Sequence, residues 1–184
     1  MADAPTSRSK SLHHVAFATR DVEATHAFYA EALGLPLVHT ENHRQGDGWF
    51  RHFFFDIGGG ECLAFFEVND VGEKPDHGTQ ISLGLGLPIW VNHLAFRLDT
   101  LEELDAMTRR LASRGMQPLR QIDHGWCKSL YLVDPNGIMV EFCVTTDAAR
   151  FTQTEAEALR LLRTPPDEIP EASRKEPAVA KPVG

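Results

Sequence analysis

IDHGWCKSLYLVDPNGIMVE, residues Ile122–Glu141, decides the fold. It reads as strand, tight turn, strand. Leu130-Tyr131-Leu132-Val133 is a short apolar run suited to a buried strand. In Asp134-Pro135-Asn136-Gly137 the proline fixes φ, Asn and Gly tolerate positive φ, and the aspartate can cap its own backbone. Ile138–Val144 is the return strand, and its one charged residue is Glu141, set among Met139, Val140, Phe142 and Cys143. A carboxylate in such a strand is costly unless it is paired or bound to a metal. His124 and Tyr131, both able to handle protons, lie just upstream.

Working outward, Trp90–Leu98 reads as a strand and Thr100-Leu101-Glu102-Glu103 as a capping box opening a helix that Gly115 ends. Leu101, Leu104 and Leu111 mark its apolar face. With strands at Gln117–His124, Ser129–Val133 and Ile138–Val144, the order is βαβββ. The same order precedes it. A strand over Ser11–Ala18 leads to a helix over Val22–Leu33, capped by Asp21 and stopped by Gly34. Strands follow at Leu37–Glu41, Trp49–Asp56 and Glu61–Val68, with Gly58-Gly59-Gly60 turning between the last two. His14-Val15-Ala16-Phe17 answers His93-Leu94-Ala95-Phe96, and each histidine is followed seven residues later by a helix cap. Such self-similarity points to duplicated modules.

The expected fold class is therefore α+β, two tandem βαβββ modules plus a C-terminal helix. Residues 1–10 read as a disordered tail, 11–68 as the first module, 69–89 as a linker or active-site loop and 90–146 as the second module. A helix over 147–163 and a disordered tail over 164–184 follow, the tail rich in Pro, Glu, Ala and Lys.

A net charge of −8 argues against a nucleic-acid surface. No apolar run approaches the roughly 20 residues that span a bilayer, and the N-terminus lacks a signal-peptide core, so a cytoplasmic protein is expected. Cys62, Cys127 and Cys143 are an odd number without CxxC spacing and read as reduced thiols.

His14 and His93 open the equivalent strand of each module, and Glu141 sits in the last strand of the second. Two imidazoles and one carboxylate on one face of a metal leave positions open for water, substrate and dioxygen, the usual ligand set of non-haem Fe(II) oxygenases. Mn(II) and Zn(II) suit the same donors. A lone strand histidine is more often structural; two at equivalent positions plus a misplaced carboxylate favour metal. His13 points to the opposite face from His14 by alternation.

Paired modules with LHHVAF, VNHLAF and LVDPNGIMVEF resemble the vicinal oxygen chelate superfamily, which includes glyoxalase I, bleomycin and fosfomycin resistance proteins and extradiol ring-cleaving dioxygenases. The resemblance covers roughly Leu12–Val144 and implies a half-open β-barrel around a metal site. Ile122-x-His124, five residues, Leu130-Tyr131, two residues, Asp134-Pro135-x-Gly137, three residues, Glu141 is most similar to the extradiol signature. The resemblance then implies an Fe(II) dioxygenase cleaving a catechol-like ring with O2, with His14, His93 and Glu141 on the metal and His124 and Tyr131 as catalytic groups. Aligning the last strand of the first module to the fourth ligand of glyoxalase I-type members places Phe65 there, which cannot ligate; Glu67 lies two residues on. Where extradiol enzymes carry a first-module catalytic histidine, this chain has Glu61; His52 and His77 are candidates to approach from the neighbouring strand and the loop. His52, Phe54, Glu61 and Phe65 are the expected pocket residues, and the aromatic strand around Phe54 serves equally as core. The alternative is a lyase, isomerase or transferase of glyoxalase or fosfomycin-resistance type, using Mn(II), Ni(II) or Zn(II) without O2. A binding protein on the same scaffold is the third reading, against which the intact ligand set speaks. The expected partners are a small-molecule substrate and a second copy of the chain, as a homodimer.

Overall fold

The computed structural model describes residues 11–170; both expected tails lie wholly or largely outside them. Asp21 caps the first helix, its side chain accepting from the Ala24 N–H. Helix α1 spans Val22–His26 and continues as wider π-helical turns over Ala27–Leu33, where Phe28, Tyr29, Ala32 and Leu33 are buried. Gly34, at φ 85°, ends it.

Strands β1 (His14–Thr19), β2 (Leu37–Gln45), β3 (Gly48–Gly58) and β4 (Glu61–Asn69) form one sheet in the order β1-β4-β3-β2. β1 runs parallel to β4 and the other pairs are antiparallel. Residues directly opposite one another share a face, so the register sorts every side chain. One face carries Phe53, Phe55, Leu63 and Phe65, all buried, with Tyr29 5.6 Å from Phe55 and 5.0 Å from Phe65 between ring centroids. Each of these large apolar side chains contributes about 1.5–3 kcal/mol through burial. The other face carries His14, Ala16 and Ala18 of β1, Cys62, Ala64 and Phe66 of β4, and Phe54 and His52 of β3.

Strands β5 (His93–Leu98), β6 (Arg120–Asp123), β7 (Cys127–Val133) and β8 (Met139–Thr145) form a second sheet in the order β5-β8-β7-β6, matching the first. Thr100 and Glu103 form the expected capping box on α2, Leu101–Ser113. Leu104 and Leu111 are buried, whereas Leu101, in the first turn, is 38% exposed. In place of one C-terminal helix there are two, α3 (Ala148–Phe151) and α4 (Glu155–Leu162). They part at Thr152, which is extended, and Thr154 caps the second.

By density of contacts the chain forms two units. The first takes the residues up to Leu94 and Val133–Met139; the second takes Ala95–Leu132 and the residues from Val140 onward. Within the first unit, the Asp134-Pro135-Asn136-Gly137 turn is a polar hub. Asp134, 4% exposed, accepts from the Asn136 and Ile138 N–H groups, the Asn136 amide and the Tyr29 hydroxyl at 2.7–3.0 Å. Burial nevertheless holds its carboxyl above the ordinary range. The same Asn136 amide donates to Thr25 Oγ1 at 3.2 Å. The long loop after β4 is pinned too: Arg20 donates to the carbonyls of Pro75 and His77, and Thr79 donates to that of Asn136.

Candidate metal centre

The first unit presents two imidazoles, each at the start of the strand that closes one edge of its sheet. His14 is exposed on the face opposite the aromatic core, its ring 5.4 Å from Phe54 and 5.9 Å from His52. His52 stacks on Phe66 at 3.7 Å and 10°. Its Nε2 is buried with no hydrogen-bond partner, and burial first, then the neighbouring His14, holds its pKa below the ordinary imidazole value. His93 donates from Nδ1 to the Trp90 carbonyl at 2.9 Å. An imidazole so held is the Nδ1–H tautomer and carries its lone pair on Nε2, which is how metal-ligating histidines are commonly oriented.

The register corrects the reading of β4. Cys62, Ala64 and Phe66 are the residues on His14's face, and Ala64 is the direct partner of Ala16. Phe65 is fully buried on the opposite face, packed on Tyr29 and Phe53, and lines no pocket on His14's face. Glu67 shares Phe65's face and pairs with Arg51 at 3.1 Å, so it does not rescue a fourth ligand there. Glu61 opens β4 opposite Gly58 with the parity of Leu63 and Phe65. His52 and Phe54 do lie on His14's face. His77 is held in the loop, its Nδ1 3.1 Å from the Lys74 carbonyl. Beside β1, a cleft of about 650 Å³ is lined by Ala16, Phe17, Ala18 and loop residues including Thr79, Gln80 and Asn92.

The second unit presents the carboxylate. Glu141, 6% exposed, lies on β8 beside Tyr131 of β7. His124 Nε2 is 2.9 Å from the Tyr131 hydroxyl. Burial first, then the Glu141 charge, pushes Tyr131 up to about 12, so its hydroxyl stays protonated at neutral pH. A carboxylate only accepts, so Tyr131 donates to Glu141. The phenol oxygen then accepts from Ser129 and from the His124 Nε2–H. This chain of hydrogen bonds fixes Glu141's orientation and places a proton-carrying imidazole two bonds from it. Burial also raises the Cys127 thiol on the same strand to about 11, and all three cysteines are free thiols.

The structure thus brings His124, Tyr131 and Glu141 together. Among the described residues no three His, Cys, Asp or Glu side chains converge as a metal-holding group; His14 and His93 belong to one unit and Glu141 to the other. The donor chemistry itself fits a divalent cation: two imidazole nitrogens, one held with its lone pair on Nε2, and a buried carboxylate. Sequence reasoning did not find the Trp90 carbonyl, Ser129 or the contact of His13 with His14, because each is a local geometry without a residue-type signature. No helix among the described residues is long and apolar enough to cross a membrane.

The chain is similar to a metallothiol transferase, FosB, of Lysinibacillus sphaericus, 27% identical over 154 residues that cover 83% of this chain and 94% of that protein. Its fold matches a crystal structure of FosX, the fosfomycin resistance protein of Listeria monocytogenes, in complex with Mn(II) and 1S,2S-dihydroxypropylphosphonic acid, at TM-score 0.55 and 19% identity, covering 79% of this chain and all of that one. It also matches a lactoylglutathione lyase from Agrobacterium tumefaciens at TM-score 0.53 and 22% identity, over 74% and 95% of the two chains. The family model of the Glyoxalase/Bleomycin resistance protein/Dioxygenase superfamily matches residues 11–142, and the chain belongs to that superfamily.

Proposed function

We propose that this chain is a divalent-metal enzyme that works without dioxygen, adding a thiol or water to a small, oxygen-rich electrophile. The observation that carries the reading is the buried Glu141 carboxylate held by Tyr131, with His124 behind it. Similarity to a metallothiol transferase supports this reading over the dioxygenase. His14, His93 and Glu141 would hold Mn(II), Zn(II), Ni(II) or Fe(II). The metal, when bound, supplies Lewis-acid polarisation of substrate oxygens and lowers the pKa of what it binds.

The chain's own residues do the rest. Tyr131 keeps its proton and orients Glu141 rather than acting as a base. His124 donates its Nε2–H to the phenol oxygen, and can deliver that proton to a substrate oxygen that displaces it. The face around Phe54, Phe66 and Ala64 offers apolar walls with little bulk next to His14. Assembly as a homodimer is part of this proposal.

The Fe(II) dioxygenase reading keeps one specific support, the His124–Tyr131 hydrogen bond between the two residues its signature names. One experiment separates the two. Protein loaded with Mn(II) or Fe(II) is given a thiol with a small epoxide, or a catechol, with and without oxygen. Thiol-dependent epoxide consumption that is indifferent to oxygen and lost in His14→Ala is expected. Oxygen uptake with a ring-fission product would replace the reading with the dioxygenase.

A further inference from the structure

The two candidate imidazole ligands differ in what holds them, and the difference assigns a role to a residue that strand alternation sets aside. His93 is held by a backbone carbonyl, an acceptor that admits only one tautomer. His14 has no such carbonyl. Its Nδ1 lies 2.8 Å from the Nδ1 of His13, the rings edge to face with centroids 5.0 Å apart. Two neutral imidazoles meeting nitrogen to nitrogen share one proton, so one ring must be the Nδ1–H tautomer and the other the Nε2–H tautomer. His13 is fixed for this contact by its backbone, whose carbonyl accepts from the Cys62 N–H at 3.0 Å just before β1.

From this contact we infer that His13 is a positioning residue: its Nδ1 accepts from the His14 Nδ1–H and so keeps the His14 lone pair on Nε2. Resting on the proposed metal reading, it gives both imidazoles one design, Nδ1 bonded as donor and Nε2 turned to the ion, with a side chain in the first module doing what the Trp90 carbonyl does in the second. His13 never touches metal or substrate. The cost of losing such an outer partner is about 10–100-fold in metal affinity. The opposite sharing, His13 donating to His14, would put the proton on the His14 Nε2 and unmake it as a ligand.

The test uses full-length metal-free protein labelled with ¹⁵N-histidine, above the pH range in which imidazoles charge. Long-range ¹H–¹⁵N correlation reads the tautomer of each ring, with the His14 signals assigned by their loss in His14→Gln. The inference requires His14 as Nδ1–H in the unaltered chain. In His13→Phe it should revert toward Nε2–H, and in His13→Asn, whose side-chain oxygen accepts in place of Nδ1, it should be restored. Zn(II) titration should follow the same order, with a loss of about 10–100-fold in His13→Phe and recovery in His13→Asn. His14 found as Nε2–H in the unaltered protein, or a tautomer and affinity indifferent to His13→Phe, overturns the inference. Protein that shows the expected tautomers yet binds no Zn(II) upholds the pairing and overturns the metal reading instead.

Discussion

Asp134 is buried with four donors on its two oxygens, and one of them, Tyr29, comes from a position 105 residues earlier in the chain. Removing that hydroxyl leaves a buried carboxylate one donor short, and hydrogen bonds to charged groups are worth about 1.5–3 kcal/mol. Tyr29→Phe should therefore lower unfolding stability by roughly that amount in urea titration at neutral pH. A second signature distinguishes this from lost packing. Burial first, then the Asp134 charge, holds the Tyr29 phenol well above its ordinary value, while in the unfolded chain it ionises near 10. A group whose folded pKa is raised binds its proton more tightly when folded, so its contribution is complete below the unfolded pKa and is lost as pH rises past it. Stability of the unaltered protein should fall more steeply above about pH 10 than that of Tyr29→Phe; parallel curves would refute the buried phenol. Tyr131 answers a different question. Tyr131→Phe deletes the donor to Glu141 while leaving the donor set intact, and metal affinity should fall about 10–100-fold with little change in fold. An unchanged affinity would show that Tyr131 does not orient Glu141.

The elements explain which readings sequence alone could reach. The caps at Asp21 and Thr100 were legible because a short polar side chain before an apolar period has one economical use. The end of β2 was not: Asn42–Gln45 is polar and all of β2 is exposed, so nothing alternates, yet it pairs with β3 as far as Gln45 with Gly48. The parity of β4 was misread for the opposite reason. Leu63, Ala64 and Phe65 are all buried, and a run buried on both faces hides which side faces the site. Only the register with His14 shows that Ala64 faces it and Phe65 does not. The Asp134-Pro135-Asn136-Gly137 turn was legible as a turn, but its partners were not, since they come from α1 and the long loop. Gly137 shows how tightly that loop sits: its φ is 74°, and a Cβ there would lie 2.5 Å from Gln80 Cγ. Gly137→Ala should destabilise by about 1–2 kcal/mol from backbone strain plus this contact. Adding Gln80→Gly should recover the steric part and leave the strain; strict additivity in that double-mutant cycle would mean the loop is not seated on the turn.

At the scale of the molecule, the duplicated modules were legible because the repeat lies in their opening strands, His14 in β1 and His93 in β5, whereas which side chains meet is a property no local pattern carries. On the proposed reading His14, His93 and Glu141 hold the ion, so binding it should stabilise the folded chain. An ion bound only by the folded protein stabilises by RT ln(1 + [L]/Kd), about 2.7 kcal/mol at a hundredfold excess over Kd. For a chain of this length that corresponds to a rise in Tm of roughly 5–10 °C, reversed by chelator. Because the site needs each donor, His14→Ala, His93→Ala and Glu141→Ala should each abolish the Mn(II)-dependent rise while keeping the chelator-treated Tm near that of the parent for the two exposed histidines. Glu141→Ala differs from the histidine variants without metal too, since it leaves the buried Tyr131 hydroxyl without that acceptor: its metal-free Tm should fall even as the metal response disappears. Differential scanning calorimetry of the four proteins, with and without Mn(II), reads all of this at once. A metal-dependent rise that survives any one of the three substitutions would remove that residue from the ligand set, and one that survives all three would place the ion elsewhere in the chain.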